Sequence, residues 1–522
     1  MGKSLIIVES PAKAKTIGKF LYNKYNIKAS MGHVRDLPTK SFGVDVKNNF
    51  TAEYVIDPDK KKIIAELKKA ASNADSIYLA SDHDREGEAI AWHLVQVLKD
   101  EIKNKPVHRI VFNEITRNAI QQAMENPGKI DDQMVESQQA RRILDRIVGY
   151  NISPLLWKII TKNLSAGRVQ SVALRLICDR EEAIQKFEPQ EYWNIEALLY
   201  KNDLPPFKAI LQKWDGEKIR ITDKVKTDEI LNNIKNSEFI LSKLTNTQKK
   251  YHPLPPFITS TLQQDASHLL NFSAKKTMQQ AQQLYEGIDL GGEAVGLITY
   301  MRTDSLRVSS QAVNFTRKLI KERFGEGKLN PTTRFYKNKN KAQDAHEAIR
   351  PTNPFNTPES IRQYLSKDQL RLYTLIWQRF IGTQMVPLLV DMKNLEISIG
   401  KAHFTANGGT IIEKGFLEAY PHYNVILGEK IDKGYKTDDT LQLKKIEGIQ
   451  LFTKPPSRFT EATLIKELES KGIGRPSTYA TITNTIRLRK YVELKARIFH
   501  PTKLGMTVYK FLISNFDEFF NV

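Results

Sequence analysis

Seven consecutive residues, Thr299-Tyr300-Met301-Arg302-Thr303-Asp304-Ser305, bring a phenol, a guanidinium, hydroxyls and a carboxylate together near the middle of the chain. A free tyrosine, with a pKa of about 10, is a weak nucleophile, but a fixed cation beside it makes the phenolate accessible and able to attack phosphorus. Arg302 is such a cation, and its planar fork also suits a phosphate. Taken alone, the stretch reads more simply as a buried aromatic beside a surface ion pair between Arg302 and Asp304. A second cluster lies far upstream: Asp82-His83-Asp84-Arg85-Glu86-Gly87-Glu88, followed by an apolar-periodic helix through Leu98. The plainer reading is an acidic helix start favoured by the macrodipole. Asp82 and Asp84 point the same way in an extended segment, and Glu86 returns as the helix begins, so three acids converge. Such crowding is costly without a cation, and hard oxygen donors without Cys or His ligands favour magnesium.

The elements around these clusters predict where they sit. Leu5-Ile6-Ile7-Val8 is the uninterrupted apolar run of a strand buried on both faces. It ends in Glu9-Ser10-Pro11, with Ser10 as a helix N-cap, Pro11 in the first helical position and a helix over 12–21 carrying Lys13 and Lys15. Glu9 therefore belongs at the C-terminal tip of a strand, the edge where open α/β sheets place their sites. Further strands are predicted over 76–80 and 107–112, and helices over 63–71 and, capped by Thr116, over 117–126. The first 150 residues or so thus alternate β and α. Gly32-His33-Val34-Arg35-Asp36-Leu37 reads as a polar loop.

Beyond this region, a helix over 137–150 carries Arg141, Arg142, Asp145 and Arg146, and Pro154 is expected to break it. Ser165-Ala166-Gly167-Arg168 leads into a helix over 172–183, placing Arg168 at an anion-binding helix start. Residues 192–257 turn to period two with one helix near 226–236, and 385–455 do the same. Prolines at 253, 255, 256, 455 and 456 mark boundaries. Between them, helices are expected over 260–270, 275–285, 310–324 and 368–382, the last with Trp377 and Phe380 in its core stripe. A strand over 296–298 is expected to leave Tyr300 exposed at the end of a rigid element. Residues 337–341 read as a mobile basic loop, and His346 and Arg350 as neighbours on one helical face. After a helix over 460–470, the turn Gly472-Ile473-Gly474-Arg475-Pro476-Ser477-Thr478-Tyr479 opens a helix through 487 and suits a phosphate. Tyr479 there either stacks on a base or packs.

Composition narrows the partner class. Lys and Arg exceed Asp and Glu by 20 in 522 residues, a field that attracts polyanions, nucleic acid first. A ribosome-associated protein, a binder of anionic membranes or a lysine-rich proteome would carry the same excess. Cys178 is the only cysteine, so an internal disulfide and a cysteine-rich zinc ribbon are excluded within these residues. No apolar run approaches the roughly 18 residues of a membrane helix, and the expectation is a soluble, cytoplasmic protein without membrane partners.

Seven motifs, taken in order, resemble the type IA DNA topoisomerases, most closely bacterial topoisomerase I. They are Val8 to Lys15, Gly32 to Leu37, Asp82 to Leu94, Ala166 to Ser171, Thr299 to Ser305, Ala345 to Pro351 and Gly472 to Tyr479. The resemblance implies a multidomain α/β and α+β toroid. Its parts would be a Rossmann-like Toprim domain over 1–155, a helical DNA-binding domain from 156–195 plus 456–522, a β-rich arch from 196–258 plus 382–455, and a winged-helix-like domain over 259–381. It also implies that Tyr300 attacks a backbone phosphate to leave a 5′-phosphotyrosine, with Arg302 orienting, Lys13 neutralising charge and Glu9 protonating the leaving oxygen. Asp82, Asp84, Glu86 and Glu9 would hold Mg2+. Arg168 and His346, then His33, Asp304, Arg475, Ser477 and Thr478, would contact single-stranded, negatively supercoiled DNA, bound by a monomer associated with the bacterial nucleoid. Relatives often continue past the position of Val522, so a catalytic core with weak processive relaxation is expected. A topoisomerase III-like decatenase is the nearest alternative, and no P-loop supports the reverse-gyrase portion. A Toprim primase or nuclease would leave Tyr300 without a role, and a non-enzymatic DNA-binding module would reduce the acids to helix caps.

Overall fold

The computed structural model describes residues 3–22, 24–338 and 346–521. Its N-terminal region is built on a four-stranded parallel sheet in the spatial order Asn26–Ala29, Leu5–Val8, Ile77–Leu79, Val107–Arg109. Leu5–Val8 is buried along its whole length, as its unbroken apolar run requires. Helices α1 (Pro11–Phe20), α2 (Lys61–Ser72), α3 (Arg85–Val97) and α4 (Arg117–Glu125) surround it. Ser10 caps α1, Asp84 caps α3 and Thr116 caps α4, each accepting from a backbone N–H in the first turn. The second and first strands in chain order lie side by side and the third pairs on the other flank of the first. The crevice at the C-terminal ends of Leu5–Val8 and Ile77–Leu79 is therefore a topological switch point. With Ile7 opposite Leu79, the register delivers Glu9 and Asp82 to that crevice.

The next helix corrects an expectation. α5 runs from Asp132 to Ile159 straight through Pro154, where the sequence predicted a break. Proline removes one backbone donor, but packing of Val148, Ile152 and Leu156 into a common core with α6 (Arg168–Gln185) holds the helix on course. That core also takes residues from near the other end of the chain.

The two period-two regions form one antiparallel sheet. Its neighbours run Glu217–Lys218, Phe207–Trp214, Ala402–Glu413, Leu388–Ile399, Phe239–Tyr251, Thr440–Phe452, Glu191–Tyr200, and Phe207–Trp214 pairs again with Glu191–Tyr200. The sheet thus closes on itself, which removes most of its free edges, and α7 (Lys224–Ile234) packs against it. Between its strands the chain makes α8 (Thr259–Asp265), α9 (Ala274–Glu286), α10 (Ser310–Phe324) and α11 (Lys367–Gly382), which share an apolar cluster with the inner face of the N-terminal sheet. Finally α12 (Glu461–Ser470), α13 (Tyr479–Leu488) and α14 (Lys503–Phe520) join the core of α5 and α6. Tyr479 packs there, 6% exposed, which settles its two readings in favour of packing.

One buried residue fixes the loop that carries the acids. Arg109 is 1% exposed and pairs with Glu88 at 2.8 Å. It also donates to the carbonyls of Leu79, Ser81, Asp82 and Ile110 at 2.7–3.2 Å. Removing one partner of a buried pair leaves the other charge unmatched, at a cost of about 3–5 kcal/mol. Arg109→Met is therefore expected to lower the stability of the N-terminal region by that amount in chemical denaturation, and Arg109→Met with Glu88→Leu to recover much of it. A single variant as stable as the unmodified chain would contradict the clamp.

Candidate active site

Tyr300 is not at the end of a regular strand. The backbone N–H groups of residues 296, 297, 299 and 300 donate to Ile115, Leu284, Arg350 and Asn113 at 2.7–2.9 Å, so the segment is threaded between the N-terminal region and residues 349–351. Gly296 is required by this threading, because a Cβ there would lie 2.5 Å from the Tyr285 carbonyl oxygen. Nor is the side chain exposed: Tyr300 is 2% accessible, and its hydroxyl donates to Asp84 Oδ2 at 2.6 Å. The expectation of a phenol activated by its neighbouring arginine also fails in this closed arrangement. Burial, then the charges of Asp84 and Asp82, hold the phenol well above its ordinary pKa, outweighing Arg302.

Asp84 is the junction of the site. Its Oδ1 accepts from Gly87 N–H at 2.9 Å to cap α3, its Oδ2 holds Tyr300, and Arg302 Nη1 stands 3.5 Å from Oδ2. Burial would raise its pKa, but Arg302, Tyr300 and the Gly87 amide bring it below the usual carboxylate range. Arg302 is itself raised, chiefly by facing the ionised form of Tyr300, with Asp84 and Asp82 adding to the effect.

Lys13, from the first turn of α1, is fully buried and pairs with Asp82 Oδ1, with Glu9 Oε2 at 3.8 Å. Burial pulls the lysine down, yet the two carboxylates more than compensate and its pKa is raised. Tyr285 closes the pocket, its ring centroid 5.4 Å from Lys13 Nζ and 5.3 Å from that of Tyr300. Glu9 Oε1 accepts from the Asp82 amide at 2.7 Å. Burial, and next the Asp82 charge, push Glu9 up to about 7. It is a carboxyl able to give or take a proton near neutrality.

The acids do not share one point. Asp82 faces Lys13, Asp84 faces Tyr300, and Glu86 Oε2 meets His33 Nε2 at 3.0 Å and Gln138 Nε2 at 3.1 Å. Among the described residues no three His, Cys, Asp or Glu side chains are grouped to hold a metal ion. The helix begins immediately after Asp84 and brings Glu86 to the same cleft, as expected, but there its carboxylate is engaged by His33 and Gln138 and does not meet those of Asp82 and Asp84. The donor set still fits a hard dication in chemistry, being all carboxylate oxygen, and Glu9, raised first by burial and next by the Asp82 charge, is a carboxyl whose ionised form a cation would favour.

A cleft of about 350 Å³ opens on this pocket, lined by Arg302, Asp304, His346, Arg475 and Ser477 together with Arg85 and Arg141. His346 is 3% exposed and contacts the His83 carbonyl through Nε2, its ring centroid 5.9 Å from that of Tyr300. It is not helical as expected. Pro351 disfavours helix at the preceding residue, and Ile349 and Pro351 instead bridge to Phe257 and Ile298. Ala345 and most of the basic loop expected at 337–341 lie outside the described residues. Arg168 is held by Asp145 at 2.9 Å, and Thr478 Oγ1 accepts from the Arg475 amide at 2.8 Å, so neither side chain lines the cleft. His33 reaches the site only through Glu86.

Sequence reasoning missed Arg85, Arg141 and Arg109. Burial and then the charges of Arg85, Arg475 and Arg168 lower the pKa of Arg141, the mark of guanidinium groups gathered without enough anions. Arg85 lies inside the acidic motif, and Arg109 interrupts an apolar strand just as Glu88 interrupts an apolar helix, a matched pair of anomalies that did signal a buried bridge.

A sequence model of the DNA topoisomerase family matches residues 129–522, and a model of the Toprim domain matches residues 4–115. Among solved structures, full-length topoisomerase I from Thermotoga maritima is similar at 40% identity with a TM-score of 0.87, over 98% of this chain and 83% of that one.

At Gly87 a Cβ would lie 2.0 Å from the Asp82 carbonyl oxygen, a backbone atom that cannot swing aside. Gly87→Ala should therefore displace Asp82 and Asp84 together and reduce activity on DNA at least tenfold. Activity within a factor of two of the unmodified chain, measured as relaxation of a supercoiled plasmid, would show that the loop tolerates the shift.

Proposed function

The chain belongs to the type IA DNA topoisomerases, of the bacterial topoisomerase I kind, and from that footing we propose that Tyr300 is the residue through which it breaks and rejoins DNA. The enzyme cleaves one strand without ATP, passes a strand through the break, religates it and relaxes negative supercoils. The observation that carries the assignment is the Tyr300 hydroxyl held 2.6 Å from Asp84, which with Arg302 lines a cleft that also carries Arg85, Arg141 and Arg475.

In this reading a single-stranded segment lays its phosphates along Arg85, Arg141 and Arg475, and one phosphate reaches Arg302. The Tyr300 oxygen bonds to phosphorus as the bond from phosphorus to the 3′ oxygen breaks. The phenolic proton leaves toward Asp84, the acceptor already in contact with it. Lys13 offsets charge on the transition state, and Glu9 supplies the proton that the departing 3′ oxygen takes up. Religation reverses these steps, with Glu9 then acting as the base. Glu9, Asp82, Asp84 and Glu86 are the residues that would hold Mg2+, which when bound supplies positive charge for positioning the severed ends. His346 buttresses Tyr300, Asp304 and Ser477 line the path of the strand, and Thr478, Arg168 and His33 shape it from one step further away. We assign residues 1–155, 156–195 plus 456–522, 196–258 plus 382–455, and 259–381 as the four domains, acting as a monomer on chromosomal DNA in the cytoplasm. No helix among the described residues is long and apolar enough to cross a membrane.

Two outcomes are expected. A single-stranded oligonucleotide trapped with denaturant should give a covalent adduct through its 5′ phosphate, and Tyr300→Phe should abolish it; an adduct that survives the substitution removes Tyr300 from the mechanism. The pH profile supplies the second. Because Glu9 is raised to about 7 and cleavage uses its protonated form, the single-turnover cleavage rate should fall as pH rises through about 7 or above. That limb should be missing in Glu9→Gln, and a profile unchanged by the substitution would assign the proton to another group.

A further inference from the structure

Two clefts meet at Arg302. The first carries four guanidinium groups beside the carboxylates of Asp84, Glu86 and Asp304; the second, of about 620 Å³, runs between α9 and α13 and shares Arg302, Pro476 and Ser477 with it. Carboxamides are the commonest side chains in the walls of the second, five of its twelve lining residues, and its cations are Lys275 and Arg302, the latter at the junction with the first. α9 contributes Gln279, Gln280, Gln282 and Gln283, four carboxamides within two turns, and α13 contributes Asn484. Gln282 donates to Glu286 at 2.8 Å and Gln283 accepts from Gln369 at 2.9 Å. The carboxamides of Gln279, Gln280 and Asn484 have no hydrogen-bond partner among the described residues.

The chemistry of the two walls differs in what it recognises. A phosphate chain calls for cations, as in the first cleft, and is poorly served by neutral amides. A carboxamide offers both donor and acceptor, the pairing that matches the edge of a nucleobase. The position of α9 says which bases. Its Ala281, Leu284 and Tyr285 share one apolar core with Tyr300, whereas Arg85 and Arg141 of the first cleft belong to α3 and α5. After cleavage the 5′-phosphoryl fragment is bonded to Tyr300 and must stay with whatever packs on Tyr300. We propose that the cleft between α9 and α13 binds the nucleobases of the 5′-phosphoryl fragment, and that Gln279, Gln280 and Asn484 set sequence preference on the 3′ side of the break. The proposal rests on Tyr300 being the nucleophile.

The test uses the full chain and a library of single strands randomised on both sides of one cleavage position, with trapped adducts sequenced. The unmodified chain should show a base preference on the 3′ side, and Gln279→Leu combined with Asn484→Leu should reduce it about tenfold, the scale of one lost base contact, while the preference on the 5′ side is retained. A second measurement does not depend on the variant folding: 4-thiothymidine placed on the 3′ side should photocrosslink to residues 275–283 of the unmodified chain. No preference on the 3′ side, a preference unaltered in the double variant, or crosslinking to 275–283 only from the 5′ side would each overturn the subsite and leave Tyr300 standing. Absence of any adduct from the unmodified chain would overturn the assignment of Tyr300 as well.

Discussion

The hydrogen bond between Tyr300 and Asp84 spans 216 positions of sequence, and the site depends on it because both partners are buried. A buried carboxylate is costly unless its oxygens are satisfied, and Asp84 has the Gly87 amide on one oxygen and the phenol with Arg302 on the other. Take away Tyr300 and its segment, and Arg302 leaves with it, so the acid loses a donor and a countercharge together. The N-terminal sheet and the tyrosine-bearing segment are thus tied by a contact that neither half satisfies alone. Separation would return both groups to water.

The same contact explains why the phenol is quiescent here although a guanidinium lies beside it. Burial opposes ionisation of Tyr300 most, and the negative field of Asp84 and Asp82 adds to it, so that Arg302, which faces Asp84, is outweighed. A phosphate entering from the arginine cleft would compete with Asp84 for Arg302. It would move the guanidinium toward the phosphorus and release the carboxylate. Asp84 would then have an oxygen free for the phenolic proton or for a cation, and the added phosphate charge would strengthen the need for one. Occupancy of the strand site and of the acidic crevice should therefore reinforce one another, each removing a partner that the other requires.

How far the chain could be read in advance depended on whether a feature was local. The caps Ser10, Asp84 and Thr116 and the buried strand Leu5–Val8 are dictated by neighbours within a few residues, and the structure reproduces them. The parallel register that sets Glu9 against Asp82 follows from two such strands lying side by side. What local rules misjudged was set by packing at long range. Pro154 stays inside α5 because the helix is pinned by a core that includes residues from α12 to α14. Tyr300 is buried by the N-terminal region, and the His346 segment is drawn into extended pairing with residues 257 and 298. Arginine clustering was the least visible, since Arg85, Arg141 and Arg475 come from three distant segments and no pattern in any one of them announces the others.

In the proposed mechanism, passing a strand through the break requires the two halves around Tyr300 to part, and the contacts between them are of unequal strength. Lys19 with Asp289 and Arg117 with Glu293 are exposed ion pairs, which contribute little and weaken further with salt. The apolar contact is larger: Val8, Ile17 and Ile115 share a cluster with Leu284, Leu297 and Ile298. Burying that surface favours closure in proportion to its area and is nearly insensitive to salt. Salt alone would therefore loosen the rim without opening the centre, and the larger resistance to opening lies in the apolar contact and in Tyr300–Asp84. In the proposed mechanism cleavage removes the second of these, because a tyrosine esterified to phosphate has no hydroxyl proton to donate to Asp84. The chemistry thus weakens the contact that held the site shut, and religation, by restoring the phenol, restores the bond that closes it.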